Sequence, residues 1–497
     1  MDNLLYYDKT MGDHTFGVTL LQSQTSYTRD TSNVTGSGVP FSSQLWNALT
    51  SGTVTGQLST STNTVKQQLL SYMARLNYSF KDKYLLTVSA RDDGSSVLAE
   101  GQKYSLFPSA ALAWRVSREG FMNIGWINDL KLRIGAGVTG NSAIAPYSTQ
   151  GAVTSLFFPF VGANAAGSIP NSILANKDLS WEKTTQYNFG VDFSLFKRRV
   201  SGSIDVYTYN TSDLLMKRSI PTVTGFTTAF ANIGQTDNKG IDISITTVNI
   251  SKQNLVWTTT TNAAWQKEQI VLLSNGKQDD INNLWFIGQP VGVLYGYKSL
   301  GLWHVGDSAL MKGYTSNNFT PGSVRVLDVN GDNKIDPNND RQILGYTRPG
   351  WVVGMTNTVT FKGWDFSILL YGRLDYKYNT GGEGQAARGV QREINYYNEN
   401  NQNAAYQKPT YNAGNAAVDP YFTALGYQDA SFIMIRNISL GYTFTARNLG
   451  KSGVSNLKIY AQAANPGMLY SNIDFLNMDV VGPTWNRGFI IGVNASF

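Results

Sequence analysis

The chain ends on FIIGVNASF at residues 489–497, and this stretch decides the fold. Every second side chain in it is apolar: Phe489, Ile491, Val493, Ala495 and Phe497. Successive side chains of a β-strand point to opposite faces, so such a strand presents one face to hydrocarbon and the other to a polar interior. A terminal aromatic residue is typical of the closing strand of bacterial outer-membrane barrels, and Phe497 is the candidate terminal signal.

The composition of the 497-residue chain suits a sheet that lies between lipid and water. Charged residues make up only 15% of it, against about 25% in typical soluble domains. The mean hydropathy is nevertheless slightly negative, because Ser, Thr, Asn, Gly and Tyr replace the missing charges. No run of about 18 apolar residues occurs, which excludes a membrane helix, so any membrane span must consist of strands.

Three further features limit the function. The net charge of +6 is spread along the chain without a dense Lys/Arg block, so no nucleic acid is expected as a partner. There is no cysteine, which excludes disulfides and thiolate metal sites. The opening, MDNLLYYDKTMGDH, has none of the regions of a secretory signal. Since an outer-membrane protein must be exported, we expect that Met1 is not the native beginning.

The alternation recurs along the whole chain, and no helical period competes with it. Near residue 370, for example, Trp364, Phe366 and Ile368 alternate with Asp365 and Ser367. Fourteen strands are predicted, near residues 14–27, 64–80, 84–95, 105–117, 129–140, 181–196, 200–216, 235–250, 254–270, 350–361, 364–378, 431–444, 457–468 and 488–497. Many run ten or more residues, long enough to cross a bilayer at a tilt.

Short and long connections alternate between these strands. Tight turns are predicted at 81–83, 197–199, 251–254 and 362–363, and long connections at 28–63, 141–180, 271–349, 379–430 and 469–487. Short periplasmic turns and long extracellular loops are typical of antiparallel transmembrane β-barrels. A soluble β-sandwich or a β-helix is the alternative, but sandwich strands are usually shorter and the chain lacks the fixed short period of a β-helix.

Short motifs follow one another over almost the whole chain: RDDGSS at 91–96, FPS at 107–109, AWR at 113–115, LKLRIGAGVTGN at 130–141, LANKDLSWEKTTQYNFG at 174–190, TGF at 224–226, NIG at 232–234, NKG at 238–240, DVNGDNKID at 328–336 and SLGYTF at 439–444. In these motifs, their order and their spacing, the chain resembles the SusC/RagA family of TonB-dependent transporters from Bacteroidota-type outer membranes.

The resemblance implies an all-β barrel of 22 strands with a plugged lumen, of which this chain supplies about fourteen. Residues 1–13 look like the end of an earlier strand and the periplasmic turn after it. We therefore expect residues 1–497 to be the C-terminal part of such a barrel, with 271–349 and 379–430 as long extracellular loops. The plug, the TonB-contacting segment and the early strands are expected to lie outside this sequence.

Residues 328–340, DVNGDNKIDPNND, carry oxygen ligands at the spacing of an EF-hand calcium loop. Asp328, Asn330, Asp332 and Asp336 take the first, third, fifth and ninth positions. The pattern departs from that loop because Asn333 replaces the turn glycine and Asn339 the bidentate Glu, which leaves Asp340 as a substitute. The alternative is a loop of Asx turns that needs no ion. Apart from calcium here, no cofactor is expected.

The sequence lacks the pattern of a catalytic site. Of its two histidines, His14 lies beside a predicted periplasmic turn and His304 lies in a predicted loop. There is no zinc-ligand spacing, nucleophile elbow, Walker loop or dinucleotide fingerprint. No catalytic residue is assigned, and the protein is not expected to be an enzyme.

Charged side chains on the polar faces would each cost about 2–4 kcal/mol in mid-bilayer hydrocarbon. They are therefore predicted to face the lumen: Arg75, Arg91, Arg115, Lys131, Arg133, Glu182, Asp192, Asp205, Asp242, Asp365 and Arg373. The long loops carry aromatic clusters: Phe157, Phe158, Phe160, Trp285, Phe286, Tyr295, Tyr297 and Trp303. These aromatic side chains either bind sugars or peptides, or pack the loops together or against a lid protein; packing is favoured, and no substrate-binding residue is assigned.

The favoured function is the barrel portion of a SusC-like transporter that imports glycan fragments or oligopeptides across the outer membrane. The resemblance implies a SusD-like lipoprotein lid, the TonB system and outer-membrane lipid as partners. A plug-less passive porin is the first alternative, and it would pair its first strand, 14–27, with its last, 488–497. A surface receptor or adhesin barrel, which would use only its loops, is the second.

Overall fold

The structure of the chain is a computed structural model. It describes residues 1–35, 59–151, 153–160, 163–314, 319–381, 393–409, 419–444, 453–481 and 486–497. Among these residues no α-helix is both long enough and apolar enough to cross a bilayer.

The described residues form twenty-four strands, one short α-helix and four short 3₁₀-helices. The strands are β1 (Asp2–Met11), β2 (His14–Thr35), β3 (Ser59–Phe80), β4 (Tyr84–Ser95), β5 (Tyr104–Arg115), β6 (Ile127–Asn141), β7 (Val153–Phe160), β8 (Ala163–Pro170), β9 (Ile173–Leu174), β10 (Glu182–Leu195), β11 (Val200–Ser219), β12 (Thr228–Lys252), β13 (Leu255–Leu272), β14 (Val293–Tyr297), β15 (Ser299–Leu302), β16 (Val324–Val326), β17 (Arg341–Tyr346), β18 (Trp351–Phe361), β19 (Trp364–Leu374), β20 (Lys377–Asn379), β21 (Tyr427–Asp429), β22 (Phe432–Phe444), β23 (Asn456–Ser471) and β24 (Gly488–Ser496). The helix α1 (Ser308–Met311) lies in a loop.

One large antiparallel sheet dominates the molecule. Its strands follow one another in the order β1-β2-β3-β4-β5-β6-β10-β11-β12-β13-β18-β19-β22-β23-β24. One further strand, β9, pairs in parallel with the start of β12. The predicted antiparallel barrel sheet is confirmed, and it contains every one of the fourteen predicted strands together with β1.

Several strands are longer than the sequence predicts. The β2–β3 ladder continues to the pair Thr35 and Ser59, so the prediction of a loop at 28–35 and 59–63 was wrong; the rest of that predicted loop, 36–58, lies outside the described residues. The β11–β12 ladder likewise reaches Ser219 and Thr228. Outside the membrane both faces of a hairpin meet water. The alternation of apolar and polar side chains therefore ends there, although the backbone hydrogen bonds continue.

The outward face of the sheet is apolar and exposed. Leu112, Ile134 and Phe189 lie side by side on β5, β6 and β10, with exposed fractions of 50%, 52% and 48%. Exposed apolar side chains continue this face around the sheet: Leu76, Val88, Tyr187, Ile204, Val206, Trp257, Met355, Phe366, Leu440, Ile459, Phe489, Ile491 and Val493. Within the described residues no second protein layer covers this belt, as expected of a surface that faces lipid.

The two outermost strands of the sheet have one partner each within the described residues. β1 pairs with β2, and β24 pairs with β23. The pairing of 14–27 with 488–497 that a self-closed porin requires is not formed, because β2 lies between β1 and β3. Phe497 follows β24 and is 91% exposed.

The loops bury their apolar side chains in three small cores. The first joins the 271–349 and 379–430 connections through Leu302, Val324, Ile335, Tyr397 and Tyr421. The second packs the connection after β23 onto the wall: Tyr376, Ala430, Phe432, Met434, Ile473 and Met478. The third lies where β4 and β5 meet the segment before β10: Val97, Leu98, Phe107 and Trp181. The described parts of these connections are therefore folded and anchored to the barrel.

At the opposite end, the connection between β5 and β6 is fixed by Glu119. Its carboxylate accepts hydrogen bonds from Tyr84 Oη at 2.7 Å and Trp114 Nε1 at 3.1 Å, and Lys83 Nζ donates to it at 3.1 Å. The Tyr84 hydroxyl, followed by the Trp114 and Lys83 donors, lowers the pKa of Glu119 to about 2. The carboxylate thus stays ionised and holds the side chains of Tyr84 and Trp114 at this end of the wall.

We predict that a charge is tolerated on one face of β5 and not on the other. Leu112→Arg places a guanidinium in lipid and should destabilise the barrel by about 2–4 kcal/mol. Ala111→Arg, on the adjacent inward residue, should change stability by less than about 1 kcal/mol. Urea unfolding of the lipid-reconstituted protein, followed by tryptophan fluorescence, measures both. Equal losses for the two variants would contradict the assignment of the faces.

Candidate functional site: the inner wall and its loops

A charge network lies on the inner face of β6, β10, β11 and β12. Arg133 donates to Asp192 from Nε at 3.0 Å and from Nη2 at 2.8 Å. Its Nη2 also donates to Asp205 at 2.9 Å. Lys131 Nζ lies 2.7 Å from Asp192, and Asp242 stands opposite Asp205 in the ladder. Lys131, Arg133, Asp192 and Asp205 thus form ion pairs across strands, as half-buried charges require, whereas Asp242 faces the like charge of Asp205.

A glycine makes the Arg133–Asp205 contact possible. Gly190 on β10 is paired with Arg133 on one side and with Asp205 on the other. A Cβ atom at Gly190 would lie 2.5 Å from Asp205 Oδ1 and 2.6 Å from Arg133 Nη2. The guanidinium therefore crosses β10 directly over a position that has no side chain.

A second ion pair of this kind lies on the inner face of β19, β22 and β23. Lys458 on β23 donates to Asp365 Oδ2 on β19 at 2.9 Å, across the intervening strand β22. A Cβ atom at Gly441 would lie 2.6 Å from Lys458 Cε and 2.8 Å from Asp365 Oδ1. Sequence reasoning found Arg133, Asp205 and Asp365 but missed Lys458 and the role of both glycines. Such a site can be recognised from a glycine on the polar face of a strand when the two neighbouring strands carry opposite charges beside it.

Other predicted inward charges lie nearer the ends of the wall. Arg115 donates to Asp82 in the β3–β4 turn at 3.0 Å. Glu182 accepts a hydrogen bond from the backbone N–H of Leu215 at 2.8 Å, where the β11–β12 ladder is irregular. These two charges fix a turn and a strand irregularity. Arg75 is exposed on the inner face.

The proposed calcium ligands are held by backbone hydrogen bonds. Asp328 accepts two N–H groups, from three and five residues further along, at 2.7 and 2.8 Å. Asn330 and Asp332 each accept one from the residue two positions further, at 3.2 and 2.8 Å. Asn333 has a φ of 59°, the left-handed conformation that a glycine takes at this position of an EF-hand loop. The segment is a series of Asx turns with a calcium-loop-like bend.

The end of this segment is closed by a buried carboxylate. Asp340 is fully buried and accepts the backbone N–H groups of Val329 and Asp336, both at 2.8 Å. The pKa of Asp336 is lowered, chiefly because the backbone N–H of Asn338 donates to it. In the part of the chain that the structure describes, no three His, Cys, Asp or Glu side chains are grouped as a metal site would require. Calcium at this loop stays a prediction.

The aromatic side chains of the 271–349 loop pack inside it. Trp303 is 1% exposed, with its ring 5.4 Å from Phe319 and 5.7 Å from Tyr314. Phe286 is buried and lies 4.9 Å from the Tyr295 ring. These contacts support the interpretation in which the aromatic side chains pack the loop together. The side chains of Phe157, Phe158 and Phe160 lie outside the described part of the structure.

The two histidines belong to unrelated local structures. His14 Nδ1 lies 2.8 Å from Tyr78 Oη, among aromatic side chains at one end of β2 and β3. His304 precedes a short turn, where its backbone N–H donates to Asp307 at 3.0 Å. Each contact is explained by local packing or capping.

The apolar belt outside and the paired charges inside define a β-barrel of the outer-membrane type. A family model described as "TonB dependent receptor-like, beta-barrel" matches residues 2–465. The chain belongs to this family, whose barrels are outer-membrane proteins.

The curated relatives are receptors of the same family. The chain is 29% identical over 489 residues to TonB-dependent receptor P3 of Formosa agariphila, covering 93% of this chain and 47% of that protein. It is 29% identical over 437 residues to TonB-dependent receptor SusC of Bacteroides thetaiotaomicron, covering 82% of this chain and 41% of that protein. The SusC-type resemblance seen in the motifs is confirmed. The chain spans about half the length of the curated relatives it matches.

Solved structures show the same fold. The chain aligns with the RagAB peptide transporter at a TM-score of 0.79 and 20% identity, covering 100% of this chain and 55% of that chain. It aligns with the RagAB peptide importer in its "open-open" state at a TM-score of 0.83 and 20% identity, covering 100% of this chain and 54% of that chain. The proteins named in these comparisons are receptors and transporters.

We predict that Gly190 cannot carry a methyl group without loss. Gly190→Ala pushes apart the Arg133–Asp205 pair and should destabilise the barrel by about 1–3 kcal/mol. Gly135→Ala is the matched control, because the nearest atoms to its Cβ lie 3.8 Å away; it should stay within about 1 kcal/mol of the unsubstituted protein. Urea unfolding compares them, and similar stabilities for both variants would contradict the proposed role of Gly190.

Proposed function

We propose that the chain forms the C-terminal barrel portion of a SusC-like TonB-dependent transporter. The transporter would import glycan fragments or oligopeptides across the outer membrane of a Bacteroidota-type bacterium. The observation that carries the proposal is the two-faced sheet, apolar and exposed outside and ion-paired inside, in a chain of this family. A wall of paired charges suits a lumen through which polar solutes pass.

The proposed partners follow from the family. A SusD-like lipoprotein would cover the extracellular loops, and TonB would act through a plug region. The folded, anchored state of the loops supports the first proposal, because a lid needs a defined surface to dock on.

A passive porin and a surface adhesin are the alternatives. A self-closed porin needs a pair between the outermost strands, whereas β1 and β24 have one partner each within the described residues. An adhesin would need only the loops and would leave the charged wall unexplained. Both observations favour the transporter.

Uptake by the native host tests the proposal. Cells with and without the whole protein are given fluorescent mixtures of oligosaccharides and of oligopeptides, in the presence and absence of a proton uncoupler. We expect one mixture to enter only in cells that have the protein, and the uncoupler to reduce entry at least about tenfold, because TonB uses the proton-motive force. Entry that resists the uncoupler would establish a porin. Surface binding without entry would establish an adhesin.

We also propose that residues 328–340 bind calcium. A carboxylate has about four lone-pair sites, so the oxygens that accept backbone N–H groups keep capacity for an ion. Calorimetric titration of the whole protein should give a Kd of about 0.1–1 mM, as in extracellular modules. Asp332→Asn should weaken binding at least about tenfold. Asp280→Asn, in another Asx turn of the same connection, should leave calcium binding unchanged. Absence of a calcium signal in the titration would contradict the proposal and indicate a loop that is stable without an ion.

A further inference from the structure

Two arginines converge on the inner face near the extracellular end of the wall. Arg373 is on β19, on the same face of the strand as Asp365. Arg436 is an extra residue in β22: its neighbours Ile435 and Asn437 are paired on both sides, but Arg436 is opposite no residue of β19 or β23. A bulge of this kind re-aims a side chain and is frequent beside functional sites. Here it turns Arg436 towards Arg373.

Both guanidinium groups contact one loop carboxylate. Asp479, in the connection between β23 and β24, forms an ion pair with Arg436 and lies 3.7 Å from Arg373 Nη2. The ring of Tyr371 completes the group, with the guanidinium carbons of Arg436 and Arg373 at 5.4 and 5.7 Å from its centroid. Tyr371 Oη also accepts a hydrogen bond from Arg373 Nε at 2.9 Å.

Asp479 is positioned by its neighbours as well as by its charge. Met478, the preceding residue, is fully buried, and Ile473 is 1% exposed in the same core. The backbone N–H of Asp479 donates to Asn477 at 3.1 Å. The connection is therefore anchored to the wall by apolar packing, and neutralising Asp479 does not remove that anchor.

The charges in this group do not balance. Among the residues that the structure describes, two guanidinium groups face a single carboxylate, so one positive charge is left over. The carboxylate is 8% exposed, whereas the side chains of Arg373 and Arg436 are 32% and 39% exposed. A group that served only to fasten the loop would not need the second arginine or its access to the lumen.

We propose that Arg373, Arg436 and Tyr371 form a binding site for an anionic group of the imported substrate, a carboxylate or a sulfate, which displaces the carboxylate of Asp479. Two guanidinium groups offer the paired N–H donors that such oxyanions accept. Asp479 occupies the site in the absence of substrate and makes entry selective for solutes that compete with it. The proposal rests on the proposed import function.

Binding to the purified whole protein tests the site without requiring transport. The probes are trigalacturonic acid for the carboxylate, a sulfated trisaccharide for the sulfate, and neutral maltotriose as the control sugar. Asp479→Asn should tighten binding of at least one anionic probe about tenfold, which corresponds to about 1.4 kcal/mol. Adding Arg436→Gln or Arg373→Gln to that variant should abolish the gain, and Arg436→Lys should retain part of it. Maltotriose should bind equally to all variants.

Asp365→Asn is the matched control, because it frees Lys458, an inner-wall cation that is paired with Asp365 across β22. It should leave the affinity for both anionic probes unchanged. An equal gain in this variant, or no gain in Asp479→Asn, would overturn the proposal. Urea unfolding of each variant checks that the barrel is intact, and Arg436→Lys keeps the test valid if a glutamine variant does not assemble.

Uptake in the native host separates this inference from the proposed function. Anion binding that follows these variants, without any import, would support the site and refute the transporter. Import of neutral and anionic solutes that ignores the variants would support the transporter and refute the site.

Discussion

The hydrogen-bonded ladder between neighbouring antiparallel strands is the constraint on which the rest of the structure depends. In hydrocarbon an unpaired backbone N–H or C=O costs several kcal/mol, so strands that span a membrane are stabilised by pairing with their neighbours along their length. Once the ladder satisfies the backbone, the outward side chains have no further requirement than to be apolar. This is why residues such as Leu112 and Ile134 remain half exposed in a stable fold.

The ladder also determines how charges are placed in the wall. Directly paired residues point to the same face, so the register brings Arg133 and Asp205 to either side of Gly190. Lys458 and Asp365 meet across Gly441 in the same way. In both cases a glycine opens a path over the middle strand, and an ion pair ties strands that share no backbone hydrogen bond. At these positions the inner surface thus carries charges of both signs in ion pairs.

The loops contribute to the lumen as well as to the exterior. The connection after β23 places Met478 in an apolar core and the next residue, Asp479, between Arg373 and Arg436. The bulge at Arg436 distinguishes this part of the wall from the ion pairs Arg133–Asp205 and Lys458–Asp365. An excess of positive charge thus lies close to the extracellular entrance, where a solute would first meet the barrel.

The sequence by itself determined the strands that cross the membrane, because a strand between lipid and water must alternate in polarity. It also identified the family through its motifs and found the inward charges at Lys131, Asp192 and Asp365. It could not locate the upper parts of β2 and β3, since water on both faces removes the alternation there. Only the tertiary structure decided which charges pair, that Trp303 is buried, and that Asp479 reaches two arginines. Those contacts join residues that are far apart in the chain. They depend on the strand register, on bulges and on glycines, and the effect of each appears only once neighbouring strands are paired.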